Sequence, residues 1–138
     1  MNVPNKIIIH ASATEDGPEF SWGAIRKWHI EQNGWIDIGY HAGIELVGDH
    51  YEVVYGRPWT LDGAHCPGQN STSLGFCFVG DFMVNRPEPR EFATAAKFLR
   101  EWLRLYKIPR SAVYRHDHFN NTACPGKAFN IEALKVLL

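Results

Sequence analysis

The sequence has little net charge, no long apolar run and few cysteines, and each of these absences argues against a class of protein. The charges nearly cancel, with 14 Lys and Arg against 15 Asp and Glu, which argues against a protein that holds nucleic acid through bulk charge. No apolar run approaches the roughly 20 residues that cross a bilayer, so no stable membrane insertion is expected. Cysteine occurs 3 times, an odd number that is too small for a disulfide framework.

The amino terminus also lacks the apolar core of a signal peptide, because its apolar run covers only residues 7–9. We therefore expect synthesis in the cytoplasm without a signal peptide. What the chain does contain in quantity is histidine and tryptophan, with 7 His and 5 Trp in 138 residues. Candidate site residues are accordingly sought first among the histidines.

A chain of 138 residues predicts one domain, taken here as residues 1–138. Apolar runs and turn residues predict strands at 6–10, 40–47, 51–55, 74–79 and 112–115. Helical spacing predicts helices at 22–32, at 88–107 and from about residue 130. The alternation of strands and helices predicts an α/β fold, with a central mixed β-sheet flanked by about three helices.

The first predicted helix has a recognisable start and stop. A loop at 16–18 precedes it, Ser21 is a plausible N-cap, and Gly34 ends it. Trp22 and Trp28 fall at helical spacing on this segment. Tryptophans spaced in this way are more often core residues than sugar-stacking ones, so both are predicted to be buried.

Two histidines and one cysteine stand where strands are predicted to end. His10 closes the first strand, His116 follows another, and Cys124 lies in the loop after it. The carboxyl ends of strands are where α/β proteins usually build sites. Two imidazoles and one thiolate would supply three of the four tetrahedral positions of zinc and leave one open, as in catalytic sites. By spacing alone an ordinary reading stays open, in which the histidines cap strands and the cysteine is a small buried side chain.

Five motifs follow one another along the chain: Ile-Ile-Ile-His-Ala-Ser-Ala-Thr at 7–14, Arg-Lys-Trp-His at 26–29, Gly-Trp-Ile-Asp-Ile-Gly-Tyr-His at 34–41, Gly-Ala-His at 63–65 with Asn70 and Ser-Leu-Gly at 73–75, and Arg-His at 115–116 with Thr-Ala-Cys-Pro-Gly at 122–126. In this order they resemble the zinc-dependent N-acetylmuramoyl-L-alanine amidases. That family includes the T7-type phage lysozyme and the peptidoglycan recognition proteins. The resemblance covers nearly the whole chain.

The resemblance implies that His10, His116 and Cys124 hold one zinc ion at the strand carboxyl ends. His118 competes with His116, since both follow the same predicted strand. The eight-residue step to the cysteine matches the family for His116, which we therefore choose. His118 is expected to be an exposed loop residue.

The resemblance also implies two residues that act beside the metal. Tyr40 matches a tyrosine that donates a hydrogen bond to the developing oxyanion or orients the attacking water, a zinc-bound hydroxide. The alternative is a half-buried strand tyrosine. Thr122 matches a position that helps to hold the oxyanion, and the alternative is a loop cap.

Two residues of the glycine-rich loop, His65 and Asn70, are predicted to bind the lactyl-peptide region of the substrate; an ordinary loop role is the alternative. Cys77 stands where a related cytoplasmic branch of the superfamily carries a glutamate general base. The absence of that carboxylate favours the branch of phage lysozymes and recognition proteins. Cys77 itself is expected to be a buried strand cysteine.

The expected function is zinc-dependent hydrolysis of the amide bond between N-acetylmuramic acid and L-alanine in peptidoglycan. The expected partner is a muropeptide, with no nucleic acid, and the chain is expected to be a monomer that acts on the cell wall after release, as an endolysin does. The alternative is a muropeptide-binding module without catalysis. Such modules commonly lose the cysteine ligand, and Cys124 is present here.

Overall fold

The computed structural model describes residues 1–14 and 20–138. Five strands form one sheet: β1 (Lys6–Ala11), β2 (Ala42–Val47), β3 (His50–Tyr55), β4 (Ser73–Phe78) and β5 (Val113–Arg115). Three helices accompany it: α1 (Trp22–Asn33), α2 (Pro89–Tyr106) and α3 (Ile131–Lys135). The strand order is β3-β2-β4-β1-β5, with only β2 and β3 antiparallel. The predicted α/β fold with a mixed sheet is confirmed.

The two central strands are buried along nearly their whole length. Ile7, Ile8 and Ile9 of β1 are fully buried, and so are all six residues of β4. Strands covered on both faces need apolar side chains at every position rather than at alternate ones. The continuous Ile-Ile-Ile run therefore suits β1 to an interior position, between β4 and β5, and His10 lies near its carboxyl end.

Helix α2 covers one face of the sheet. Pro89 begins it, and Lys107 ends it in the left-handed conformation at φ 55°. Its buried stripe includes Phe92, Leu99 and Trp102. Each such side chain contributes about 1.5–3 kcal/mol when removed from water, so this face supplies much of the stability.

Helix α1 begins and ends where the sequence predicts. The Ser21 hydroxyl accepts a hydrogen bond from the amide of Ala24, and Gly34 adopts φ 69°. Trp22 is buried, but Trp28 is 61% exposed, so the prediction that Trp28 belongs to the core is wrong. Trp28 faces a surface groove instead of the sheet. The predicted loop at 16–18 lies outside the described residues.

Strand β2 begins at Ala42, two residues later than predicted. Tyr40 and His41 still make backbone contacts: the amide of His41 donates to Gly75 O, and the amide of Arg57 donates to Tyr40 O, both at 3.0 Å. Tyr40 therefore lies in the segment that leads into the sheet. Within residues 1–14 and 20–138, no helix combines the length and the apolar character needed to traverse a bilayer.

Candidate metal centre

His10, His116 and Cys124 meet at the carboxyl edge of the sheet. One ligand atom from each lies within 4.8 Å of the other two, and His10 Nδ1 lies 3.9 Å from Cys124 Sγ. Strands β1 and β5 are parallel neighbours, so their carboxyl ends meet at one edge. His10 stands near the end of β1, and His116 opens the 3₁₀ turn that follows β5. The sheet topology therefore joins residues that are far apart in sequence.

The loop that carries Cys124 is tied to the end of β5. The amide of Asp117 donates to Cys124 O at 3.1 Å. The Arg115 guanidinium donates to Gly126 O at 2.9 Å and to the carbonyl of Phe129. These bonds close the loop and set the cysteine beside the histidines.

The choice between His116 and His118 follows from where the two rings lie. The His116 ring centroid is 4.5 Å from that of His10. The His118 ring is exposed and stacks on Tyr114, with centroids 4.9 Å apart. His116, and not His118, faces Cys124.

The surroundings of the cluster favour a neutral His10 imidazole and a protonated Cys124 thiol in the absence of metal. Burial lowers the pKa of His10 well below its ordinary value of 6.5, and the neighbouring His65 and His116 lower it further. Burial raises the pKa of the Cys124 thiol to about 11, while a hydrogen bond with the Ala11 backbone opposes that rise. A divalent cation binds the thiolate and the neutral imidazole, so metal binding at this site would displace the thiol proton.

Each ligand candidate is held by a further polar group. His10 Nε2 lies 2.8 Å from His65 Nδ1, and His116 Nε2 lies 2.9 Å from Asn120 Oδ1. The amide of Ala11 donates to Cys124 Sγ at 3.2 Å. Partners of this kind orient metal ligands in proteins. Two nitrogens and one sulfur, each supported in this way, fit a zinc ion with an open fourth position.

Asn120 was missed by the sequence analysis. Its amide group donates to Pro67 O and Phe119 O, so its Oδ1 is the atom that faces His116. That oxygen can only accept, and His116 Nε2 must therefore carry the hydrogen and leave Nδ1 with its lone pair. The only signal in the sequence is an amide residue four positions after the histidine.

Tyr40 lies beside the cluster, with its ring centroid 5.1 Å from that of His10. Desolvation raises the pKa of its hydroxyl well above 10, and the nearby Cys77 and Cys124 add to that effect. The hydroxyl thus keeps its proton and remains a hydrogen-bond donor at neutral pH. The amide of Gly39 donates to His29 Nδ1 at 3.0 Å, which ties the Tyr40 segment to α1.

A surface groove of about 400 Å³ opens beside Tyr40. Most of its lining is apolar or aromatic. We call this "the groove", and the residues that line it are Ser12, Thr14, Phe20, Ala24, Ile25, Trp28, His29 and Tyr40. It joins the metal candidates through Tyr40 and can receive an extended ligand.

Thr122 caps the loop before Cys124. Its Oγ1 accepts a hydrogen bond from the Cys124 amide at 3.2 Å. The hydroxyl hydrogen is not used by that bond and can still be donated. The geometry therefore accommodates both roles that the sequence left open.

His65 and Asn70 lie behind the cluster. His65 is only 7% exposed, and its two ring nitrogens contact His10 Nε2 and Ser73 Oγ. Asn70 Oδ1 accepts from the amides of His65 and Cys66, at 3.0 Å each. These internal contacts favour structural roles over the predicted contacts with substrate, which stay untested predictions. Cys77 is fully buried in β4, as expected.

Comparison with known proteins decides the family. The model of the N-acetylmuramoyl-L-alanine amidase family (Amidase_2) matches residues 1–127. This chain belongs to that family. The endolysin of Enterobacteria phage K11 is 34% identical over 126 residues, which cover 88% of this chain and 80% of the relative.

Two further proteins are similar to this chain, one in structure and one in sequence. The N-acetylmuramoyl-L-alanine amidase LysC from Clostridium intestinale URNW matches with a TM-score of 0.84 and 29% identity, covering 98% of this chain and 85% of that one. Peptidoglycan-recognition protein SC2 of Drosophila melanogaster is 32% identical over 103 residues, which cover 74% of this chain and 54% of the relative. The chain is thus similar both to an amidase and to a recognition protein.

Proposed function

We propose that this protein hydrolyses the amide bond between the lactyl group of N-acetylmuramic acid and L-alanine in peptidoglycan. The observation that carries the proposal is the convergence of His10, His116 and Cys124 ligand atoms within 4.8 Å, next to Tyr40. Membership of the amidase family and the similarity to a phage endolysin support the same reaction.

In this proposal His10, His116 and Cys124 hold one zinc ion. When bound, zinc would supply a Lewis acid that polarises a carbonyl and acidifies water. The protein contributes the His10 imidazole, which burial keeps neutral, and hydrogen-bond partners that orient both histidine rings. Tyr40, whose ring lies 5.1 Å from that of His10, also lines the groove and so connects the cluster with it.

The scissile carbonyl gains negative charge on its oxygen as water adds to it. Tyr40 then stabilises that oxygen by donating its hydroxyl hydrogen, which its raised pKa retains at neutral pH. Thr122 has a spare hydroxyl hydrogen in the loop before Cys124 and serves as a second donor. Both side chains are neutral, so the stabilisation comes from oriented dipoles.

The groove binds the glycan and peptide around the scissile bond. Its aromatic and aliphatic side chains, Trp28 among them, offer flat apolar surface to a sugar face or a stem peptide. The two phage endolysins among its relatives support action on the cell wall as a lysin. One chain supplies all three ligand candidates and Tyr40, in keeping with a monomer.

The test is a product analysis with a defined muropeptide. Incubation of N-acetylmuramoyl-L-alanyl-D-isoglutamine with the purified protein should release a dipeptide with a free amino terminus, detected by mass spectrometry. Removal of the metal by a chelator should stop the release, and added zinc should restore it. Full release by protein shown by elemental analysis to be free of metal would contradict the proposal.

A second candidate function is muropeptide binding without cleavage. The similarity to a protein named for peptidoglycan recognition, protein SC2 of Drosophila melanogaster, favours it. The same incubation separates the two, since a binding module would retain the intact muropeptide in equilibrium dialysis. The complete set of two histidines and a cysteine favours catalysis.

A further inference from the structure

A line of buried polar groups lies behind His10, on the side of the ring that faces away from Cys124. His10 Nε2 lies 2.8 Å from His65 Nδ1, and His65 Nε2 lies 3.3 Å from Ser73 Oγ. The Ser73 hydroxyl lies 2.7 Å from the carbonyl oxygen of Gln69. All three side chains are buried. Nothing in the proposed reaction requires such a line.

The chemistry of these groups sets the direction of every hydrogen bond. The Gln69 carbonyl can only accept, so the single hydroxyl hydrogen of Ser73 goes to it. Ser73 Oγ must then accept from His65 Nε2–H, which leaves Nδ1 of His65 as an acceptor. Because His65 Nδ1 accepts, His10 Nε2 must be the donor of the bond between them and must carry the ring hydrogen. The lone pair of His10 is consequently on Nδ1, the atom that faces Cys124 Sγ at 3.9 Å.

The opposite arrangement is electrostatically unfavourable. A hydrogen on His65 Nδ1 would make His65 Nε2 an acceptor that takes the Ser73 hydrogen. Ser73 Oγ and Gln69 O would then face each other at 2.7 Å with lone pairs only. Two buried acceptors that face each other without a hydrogen repel each other and lose the hydrogen bond between them.

The imidazole of His65 also occupies a slot shaped for a flat ring. A Cβ added to Gly63 would lie 2.4 Å from His65 Cδ2, and one added to Gly75 would lie 2.7 Å from the same atom. Both glycines thus bring bare backbone against the ring. The Asn70 side chain accepts from the His65 amide and holds the main chain in register. The ring has little freedom to turn.

We propose that His65 and Ser73 are positioning residues that fix the tautomer of His10, so that its Nδ1 lone pair always points toward Cys124 and His116. A neutral imidazole has two tautomers, and only the one with hydrogen on Nε2 can ligate a metal through Nδ1. The proposal rests on the zinc site of the proposed function. It adds to that site the groups behind His10: the side chains of His65 and Ser73, and the Gln69 carbonyl that fixes their hydrogen bonds.

The first test uses the metal-free protein. Nitrogen-15 chemical shifts of histidine rings distinguish protonated from unprotonated ring nitrogens. At pH 7.5 we expect His10 and His65 each to carry hydrogen on Nε2. Hydrogen on Nδ1 of His10 in the wild-type chain overturns the proposal, whether or not the protein binds zinc.

The second test compares two substitutions of His65. His65→Leu removes the acceptor, and we expect zinc affinity, measured by competition with a chromogenic chelator, to fall about 10–100-fold. His65→Asn places an amide oxygen near the position of Nδ1. We expect it to restore affinity to within about threefold of the wild type, because the oxygen accepts from His10. Equal affinities for wild type and His65→Leu, with an unchanged His10 tautomer, would overturn the proposal.

A milder variant covers the case in which His65→Leu fails to fold. Ser73→Ala removes one oxygen, and we expect a mixture of His10 tautomers and a zinc affinity lowered by up to about tenfold. Ser71→Ala, at an exposed position in the turn just before β4, should change neither. Unchanged tautomer and affinity in Ser73→Ala would contradict the proposal. If the wild type binds no zinc, the proposed function fails, and the ring nitrogen shifts still decide the tautomer.

Discussion

His116 Nε2 lies 2.9 Å from Asn120 Oδ1, and this contact makes Nε2 the hydrogen-bearing atom of a candidate metal ligand. Asn120→Ala should therefore weaken zinc binding about 10–100-fold, because the ring loses its orientation and its preferred tautomer. Asn120→Asp keeps an oxygen acceptor and should stay close to the wild type. Chelator competition measures both affinities. An Asn120→Ala protein with wild-type affinity would show that Asn120 does not support His116.

Replacement of the sulfur ligand tests the metal centre itself. Cys124→Ser should leave the fold intact, because Cys124 is partly exposed and a serine hydroxyl is smaller than the cysteine thiol that it replaces. Zinc content should drop far below one ion per chain, and lysis of purified cell walls should be lost, since serine is a poor zinc ligand. Cys77→Ala serves as the matched control: it removes a buried sulfur from β4 and should retain zinc.

The role of Tyr40 is tested by removing only its hydroxyl. Tyr40→Phe should lower kcat about 100-fold or more and change KM little, because the lost hydrogen bond forms only as charge develops on the carbonyl oxygen. Steady-state kinetics on a soluble muropeptide separate the two constants. A kcat equal to that of the wild type would remove Tyr40 from the mechanism.

A substitution of Trp28 tests whether the groove binds cell-wall fragments. The side chain is 61% exposed, so Trp28→Ala should change the free energy of unfolding by less than about 0.5 kcal/mol. The same change should weaken binding of cell-wall fragments, because the groove loses its aromatic surface. Trp102→Ala, in the core, should instead cost about 3–5 kcal/mol. Normal fragment binding by Trp28→Ala would argue against the groove as the binding surface.

The lowered pKa of His41 leads us to predict how the free energy of unfolding of the metal-free protein depends on pH. Burial lowers its folded-state pKa below 6.5, and it accepts from the Gly75 amide while contacting Leu61 O. The unfolded chain therefore binds a proton near pH 6.5 that the folded chain does not. Stability should fall as the pH drops below about 6.5, by up to about 1.4 kcal/mol per pH unit for each such histidine.

Urea unfolding at pH 5.0 and 7.5, in the presence of a chelator, measures this dependence. His41→Gln should lower stability at both values of pH and flatten the dependence relative to the wild type. His118→Gln, at an exposed ring, is the control and should leave the dependence unchanged. An undiminished slope in His41→Gln would show that His41 does not carry the effect.

Local patterns in the sequence were enough for the elements of the fold. The Ile-Ile-Ile run predicts a central strand because only a strand covered on both faces is apolar at every position. Ser21 and Gly34 mark the ends of α1 because capping and left-handed turns depend on one or two residues. The candidate ligands were noticed at predicted strand ends and chosen through a resemblance of ordered motifs, which names residues without placing their atoms.

The environment of those residues was decided only by the tertiary structure. Parallel pairing of β1 and β5 brings His10 to His116, and no local pattern encodes a contact between such distant segments. Trp28 has the spacing of a core residue, yet it is exposed, because helix α1 presents that side to the groove and not to the sheet. Which nitrogen of His10 carries the hydrogen depends on a serine hydroxyl and a backbone carbonyl that only folding brings together.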